Sequence, residues 1–448
     1  MFRLSAAFAA SAILLFQPAL AQDSTSIAFD DVRVLTMQDG AIIEDGYVII
    51  EGSRIAALGE GALPADFAGH VIDGDGATLM PGLSDMHVHW YETDMGAMFL
   101  ANGITRVRNL TGSVWVLRRN QAALDGTLIA PRVDTSGPII DGGEGFPNDF
   151  FVRARNADQA VGAVRSQARS SYDAVKLYSN LSEEAYRAAF AEARANDMQV
   201  YSHVPDSMTL GDLLELGVDS IEHLDGFAIA LARDGFSTER DNAWPEYWAN
   251  MDESLMDEWI ERTIAANTWV VPTLAITYGR IASADPDAYF ARPEAALLPS
   301  WASSWRGNIE RFDLNRRYFE AQLANKGRFS LELYRAGGGV LIGTDAPNPF
   351  VTPGYSIHDE LAGFAAAGFT NEEVLYIATA EAARFSGEEG RAGVVAEGAV
   401  ADLILLGGDP LTDLDALRDL RGAMVNGHWH DRAAIDAALD ARARRLAQ

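Results

Sequence analysis

Pro81-Gly82-Leu83-Ser84-Asp85-Met86-His87-Val88-His89 opens on a turn dipeptide and runs into a short apolar strand that ends in His-x-His. Alternation along a strand sends His87 and His89 to the same face, so both can reach one metal ion. Alone, such a pair is equally compatible with a structural role. Further apolar runs follow at Ile104–Asn109, Arg132–Ser136, Ala174–Tyr178, Gln199–His203, Ser220–His223, Trp269–Thr273 and Val340–Asp345. Helical stretches such as Glu183–Asn196 and Asp252–Ala266 lie between them. Eight strands with helical crossovers predict an α/β fold of the (β/α)8 TIM barrel type. No G-x-G-x-x-G follows the first strand and no P-loop occurs, which argues against an open doubly wound sheet.

Outward from this core, Ile27 to Leu79 reads as short alternating runs broken at Asp39-Gly40 and Gly52-Ser53, the pattern of consecutive hairpins. The same texture returns in Ala401–Leu406 and in Gly422–Trp429, which contains the turn pair Asn426-Gly427. Neither piece can bury a good core alone, so the two are expected to form one small β-sandwich domain around the barrel. The expected organisation is 1–21 signal peptide, 22–80 and 388–448 β-sandwich with a C-terminal helix, and 81–387 barrel. Arg3, the apolar run Leu4–Phe16 and Pro18-Ala19-Leu20-Ala21 have the form of a cleaved leader, too short for a comfortable bilayer span. The mature chain is therefore expected to be exported, to a bacterial periplasm or beyond, without a stable membrane anchor.

The formal charge is −29, from 64 acidic against 35 basic residues, and this repels phosphate backbones and excludes nucleic acid as a partner. The absence of Cys excludes thiolate zinc sites, iron–sulfur clusters, catalytic cysteine and disulfides. Only two of the 35 basic residues are Lys, at 176 and 326. Lys176 sits in Ala174-Val175-Lys176-Leu177-Tyr178, an internal parallel strand, where an unpaired ammonium is costly. One explanation is a salt bridge to a core carboxylate. The other is that burial lowers the amine's pKa, and the neutral amine captures carbon dioxide as a carbamate able to bridge two metals.

His203 and His223 each close a strand, and Asp345 ends the last one in Gly343-Thr344-Asp345-Ala346. In a barrel those positions form the catalytic rim. Each also has a bland reading: a satisfied structural histidine, or an aspartate capping the next helix.

Taken together, the Pro81–His89 segment, Lys176, His203, His223 and Gly343-Thr344-Asp345 resemble the amidohydrolase superfamily, in particular its binuclear branch of imidazolonepropionase-like proteins and Xaa-Pro and related dipeptidases. Gly398–Ile404, Asp409-Pro410-Leu411 and Asn426-Gly427 resemble the family's returning β-domain, and His358–Leu361 and Ile377–Ala380 its last barrel helices. The resemblance implies that His87, His89 and Asp345 hold one divalent metal, that His203 and His223 hold a second, and that carboxylated Lys176 bridges them. It implies zinc as the metal, a metal-bridging hydroxide as nucleophile and Asp345 as proton shuttle. The implied activity is hydrolysis of a C–N amide bond in a small molecule such as a dipeptide or N-acyl amino acid, with homo-oligomerisation compatible.

Substrate contacts are less determined. Dipeptidase relatives often carry Gly-Gly-His-Gly after the third strand, whereas here Glu144 stands in Gly142-Gly143-Glu144-Gly145. Tyr178, two residues past Lys176, points the same way and is a candidate for the substrate carbonyl. Arg108, near the end of the second strand, could grip a substrate carboxylate or close a salt bridge. The aromatic insertions Leu224–Met256 and Leu274–Gly338 suit an apolar lid. Ester, lactone or phosphotriester hydrolysis uses the same chemistry. Mononuclear deamination is disfavoured, because His203-Val204-Pro205-Asp206 offers a shorter acid than that group's His-x-x-Glu and because Lys176 is present. A binding protein that kept the fold would be expected to have lost ligands.

Overall fold

Four strands at the start of the chain, β1 (Ile27–Leu35), β2 (Ile42–Glu51), β3 (Arg54–Glu60) and β4 (His70–Pro81), pair as the hairpin pattern anticipates, with Gly52 turning β2 into β3 at φ +58°. β1 and β4 run parallel. The structure is a computed structural model and describes residues 26–144, 150–237 and 244–448. The expected signal peptide lies outside the described residues.

After a single residue β4 passes into β5 (Leu83–Val88), and parallel strands with intervening helices follow. They are β6 (Ile104–Asn109), β7 (Arg132–Thr135), β8 (Ile139–Asp141), β9 (Phe151–Arg153), β10 (Ala174–Leu177), β11 (Gln199–Ser202), β12 (Ser220–Glu222) and β13 (Trp269–Val271). Every residue of β5, β6 and β10 is buried, the mark of parallel strands covered on both faces. Parallel contacts link β5 to β6 and β6 to β7. Ser136, just past β7, then pairs with Ala174 of β10, and β10 to β13 follow in order. Val270 of β13 pairs with Val340, and Ala346 pairs back to Val88 of β5. The run Val340–Ala346 is bonded on both sides, with Leu341 N donating to Val270 O (2.9 Å) and Met86 N to Ile342 O (2.9 Å). The parallel pairings thus close on themselves.

The chain ends in β14 (Leu403–Leu406), β15 (Leu420–Val425), β16 (His428–Asp431) and the helix Arg432–Leu446. Asn426 and Gly427 make the turn between β15 and β16 with φ of 50° and 82°, conformations that the Asn-Gly pair tolerates best. β14 pairs with β4, so both chain ends join one mixed sheet ordered β16-β15-β14-β4-β1-β2-β3. In place of the expected two stacked layers there is one hydrogen-bonded sheet. Its twist curls it until Ile55 N meets Ala399 O at 3.0 Å, and Phe29, Val48, Leu79, Leu405 and Met424 are buried in its own core. The architecture is α/β, with parallel sheets beside an extra mixed sheet. Among the described residues, no helix is long and apolar enough to cross a membrane.

Candidate metal centre and active site

The residues proposed from sequence meet at one end of the parallel strands. His87 lies within β5 and His89 just beyond it, Lys176 within β10, and His203 and His223 directly after β11 and β12. Asp345 follows Gly343, where an added Cβ would stand 2.8 Å from the His87 Cβ and 2.9 Å from its backbone nitrogen. Only glycine lets the two segments approach so closely. His223, Thr273 and Asp345 all hold left-handed backbone (φ 61°, 48° and 60°), a conformation that costs non-glycine residues of order 1–3 kcal/mol each and that clusters at functional sites.

The nitrogens and oxygens converge. His87 Nε2, His89 Nε2 and His223 Nε2 lie 3.3, 2.7 and 3.8 Å from the Asp345 carboxylate. One ligand atom each of His87, His223 and Asp345 fits within 4.8 Å of the others. The His203 ring is centred 4.9 Å from that of His223.

Each of these four histidines is engaged from behind at Nδ1. Glu222 Oε2 takes His87 at 2.7 Å, Thr111 Oγ1 takes His89, Ser179 Oγ takes His203 at 3.1 Å and Thr273 Oγ1 takes His223 at 2.8 Å. Thr273 Oγ1 gives its own hydrogen to Pro272 O (2.8 Å), so it accepts from His223 Nδ1–H and leaves Nε2 with its lone pair. Glu222 does the same for His87. Engagement of the rear nitrogen is how metal-binding histidines are oriented.

Lys176 Nζ is buried and makes no hydrogen bond, and the buried Asp345 Oδ1 faces only the Nε2 atoms of His87 and His89. An unpaired buried polar atom is costly, and a cation among these donors would satisfy the carboxylate oxygen. The donor set fits divalent metal.

Charge states agree with this fit. Burial lowers His203 and His223 well below the ordinary histidine value, with the Lys176 charge adding to it, so both are neutral near pH 7. Burial opposes ionisation of Asp345, yet His87 and His89 hold its carboxyl well below the usual range. Burial brings Lys176 down to about 8, against the pull of Glu222 and with the push of Arg108.

Beside this cluster opens a cavity of about 680 Å³. Its wall includes His203, His223, Asp345 and Tyr178, whose ring centre is 4.2 Å from that of His203. The aromatic insertions contribute Trp244, Trp248, Phe312 and Phe319.

Two residues expected to contact substrate, Arg108 and Glu144, lie outside the cavity wall. Arg108 is wholly buried and lies outside the cavity wall. It donates to both oxygens of Glu222 (3.0 Å each), to Ser220 Oγ (2.9 Å) and to Met86 O (2.6 Å), and packs 4.3 Å from the Tyr201 ring centre. A guanidinium so committed cannot grip a substrate. Glu144 is 78% exposed, pairs with Arg155 at 2.7 Å and is likewise absent from the cavity wall.

Sequence reasoning missed Glu222, which backs His87, although an acid beside His223 in a buried strand is a signal. It passed over Asp85, whose carboxylate accepts from Thr344 N (2.9 Å), Thr344 Oγ1 (2.7 Å) and His87 N (3.3 Å), tying β5 to the Asp345 segment. It also overlooked Lys326, which lines the cavity.

The amidohydrolase family profile matches residues 78–430. An imidazolonepropionase of Alkaliphilus oremlandii is 46% identical over 57 residues, 12% of this chain and 14% of that protein. The chain thus matches well under two thirds of that relative. The bottromycin amidohydrolase structure superposes with a TM-score of 0.74 at 22% identity, covering 94% of this chain and 91% of the other. A Xaa-Pro dipeptidase with methionine bound in its active site gives 0.66 at 20% identity, over 91% of this chain and all of that one. At those identities the two structures bear on the fold. With the profile spanning most of its length, the chain belongs to the amidohydrolase family.

Proposed function

We propose that this chain is an exported hydrolase with two divalent metal ions, cleaving the C–N amide bond of a dipeptide, an N-acyl amino acid or a similar small amide. The observation that carries the reading is the set of four histidines engaged at Nδ1, gathered with the buried Asp345 carboxylate and the buried Lys176 amine, which makes no hydrogen bond. The closed run of parallel pairings supports a (β/α)8 barrel over 81–387, flanked by a domain from 22–80 and 388–448.

His87, His89 and Asp345 are assigned to one ion and His203 and His223 to the other, with zinc suited to such ligands. Lys176 would serve both ions after modification: the ammonium loses one proton, and the neutral amine nitrogen then bonds to the carbon of carbon dioxide and releases a second, so that a cation becomes a carboxylate-like anion. Bound metal supplies acidification of water and polarisation of the scissile carbonyl. Asp345, ionised and at the edge of the cavity, takes a proton and delivers it to the leaving amine. Tyr178, whose ring centre lies 4.2 Å from that of His203 and which lines the cavity, is assigned to contact the substrate near the reacting carbonyl.

Metal quantified in the same preparation as a screen of dipeptides and N-acyl amino acids tests this. About two ions per chain and amide cleavage are expected. About one tight ion would move the reading to a mononuclear enzyme, and a Lys176→Ala variant with normal metal content and full activity would remove the bridge.

A further inference from the structure

Lys326, the only lysine besides Lys176, sits on the helix Phe319–Arg335 and is 4% exposed. Its Nζ donates to Pro272 O at 3.1 Å. An ammonium has three donors, and no ion pair joins Lys326 to any carboxylate among the described residues. The acids around it, Glu360, Asp225 and Asp345, act on its charge from a distance, and none comes within ion-pair reach. Burial pushes the Glu360 carboxyl up to about 8, which leaves it largely protonated at neutral pH. Asp225 spends its oxygens on the backbone N–H groups of Val204 (2.9 Å) and Gly226 (3.1 Å). Arg280, a second cation, lines the same cavity.

One helical turn before Lys326, Gln322 also lines the cavity, is 2% exposed, and its Oε1 is buried without a hydrogen-bond partner. A buried amine with one hydrogen bond and no contacting carboxylate is costly to charge, and an anion entering the cavity would stabilise its charged form.

We propose that Lys326 and Gln322 form the subsite that receives a carboxylate of the substrate, making this protein selective for amides that carry a free carboxylate. The assignment rests on the amide-hydrolase reading above and moves the anion-binding role from buried Arg108 to the insertion between β13 and Val340. The carboxylate supplies a contacting counter-ion and accepts from the Nε2–H2 group of Gln322, the donor side of that amide.

The test is calorimetric titration of the metal-loaded protein with 4-phenylbutyrate and with 4-phenylbutanol, neither of which contains a hydrolysable bond. It is run beside hydrolysis of N-acetylphenylalanine and its primary amide. Wild type is expected to bind the acid about 10- to 100-fold more tightly than the alcohol, and Lys326→Met to close that gap to within about threefold. The same variant is expected to lose the N-acetylphenylalanine preference in KM more than in kcat. An acid preference that persists in Lys326→Met places the carboxylate elsewhere and overturns the proposal, as does equal or absent binding of both probes by wild type.

If neither amide is cleaved but acid binding depends on Lys326, the hydrolase reading fails and the subsite stands. If amides are cleaved without any Lys326-dependent acid preference, the reverse holds. Should Lys326→Met not fold, Gln322→Leu carries the test. It is expected to weaken acid binding at least about threefold relative to the alcohol, and an unchanged ratio overturns the proposal.

Discussion

His87 Nδ1 lies 2.7 Å from Glu222 Oε2, and both side chains are buried. Burial would raise the Glu222 carboxyl, but Arg108, Lys176 and His87 hold it well below its ordinary value. An ionised Glu222 can only accept, so Nδ1 carries a proton and Nε2 is the nitrogen turned toward Asp345. A single buried carboxylate therefore sets the tautomer of the first ligand and the position of Arg108.

Glu222→Gln is expected to lower metal affinity by roughly 10- to 100-fold, the usual effect of removing such a partner. Competition with a chromogenic chelator reads it directly. Unchanged affinity would mean that Glu222 does not control His87.

Arg108→Met leaves the Glu222 charge buried with no guanidinium, and breaking a buried pair in this way costs about 3–5 kcal/mol. Urea unfolding should show that loss. Selective damage to KM for carboxylated substrates, without loss of stability, would return Arg108 to the role of substrate grip.

Gly343→Ala sets a methyl group against the His87 backbone at 2.8–2.9 Å, and overpacking of that kind costs typically about 1–3 kcal/mol. The shift falls on His87 and Asp345 together, so metal content should drop along with the melting temperature. A stable variant with full metal content would show that the two segments separate easily.

Lys326 bears on pH. Burial and the Arg280 charge bring its amine down to about 7, against the opposing pull of Glu360, Asp225 and Asp345. A bound carboxylate raises that value again. Affinity for an anionic ligand is therefore full below about pH 7 and falls as the pH rises from the free toward the bound value. Titrations of 4-phenylbutyrate between pH 6 and 9 should weaken by up to about tenfold per unit above 7 in wild type, with a flatter profile in Lys326→Met.

The strand positions and the ligand residues were legible because each is a local pattern. An apolar run that ends in a histidine or aspartate can be read from a few neighbours, and the scarcity of lysine drew attention to Lys176. The Asn426-Gly427 turn is local in the same sense. Alternation, however, reports only which face of a strand a side chain takes. It does not say whether that face meets the cavity or another buried charge, and so Arg108 was left between two roles. Its partner Glu222 lies 114 residues away, and only closure of the strands brings them together.

Lys326 carried no local signal, because a lysine in a polar helix ordinarily points to water. Its burial depends on how the insertion folds back, bringing Nζ to Pro272, 54 residues earlier. The sequence by itself determined the α/β class, the family resemblance and the candidate ligands, since these depend on residue type and short-range periodicity. Tertiary structure alone decided which charges face the cavity and which sit behind the ligands, because burial and charge pairing arise from contacts between distant segments.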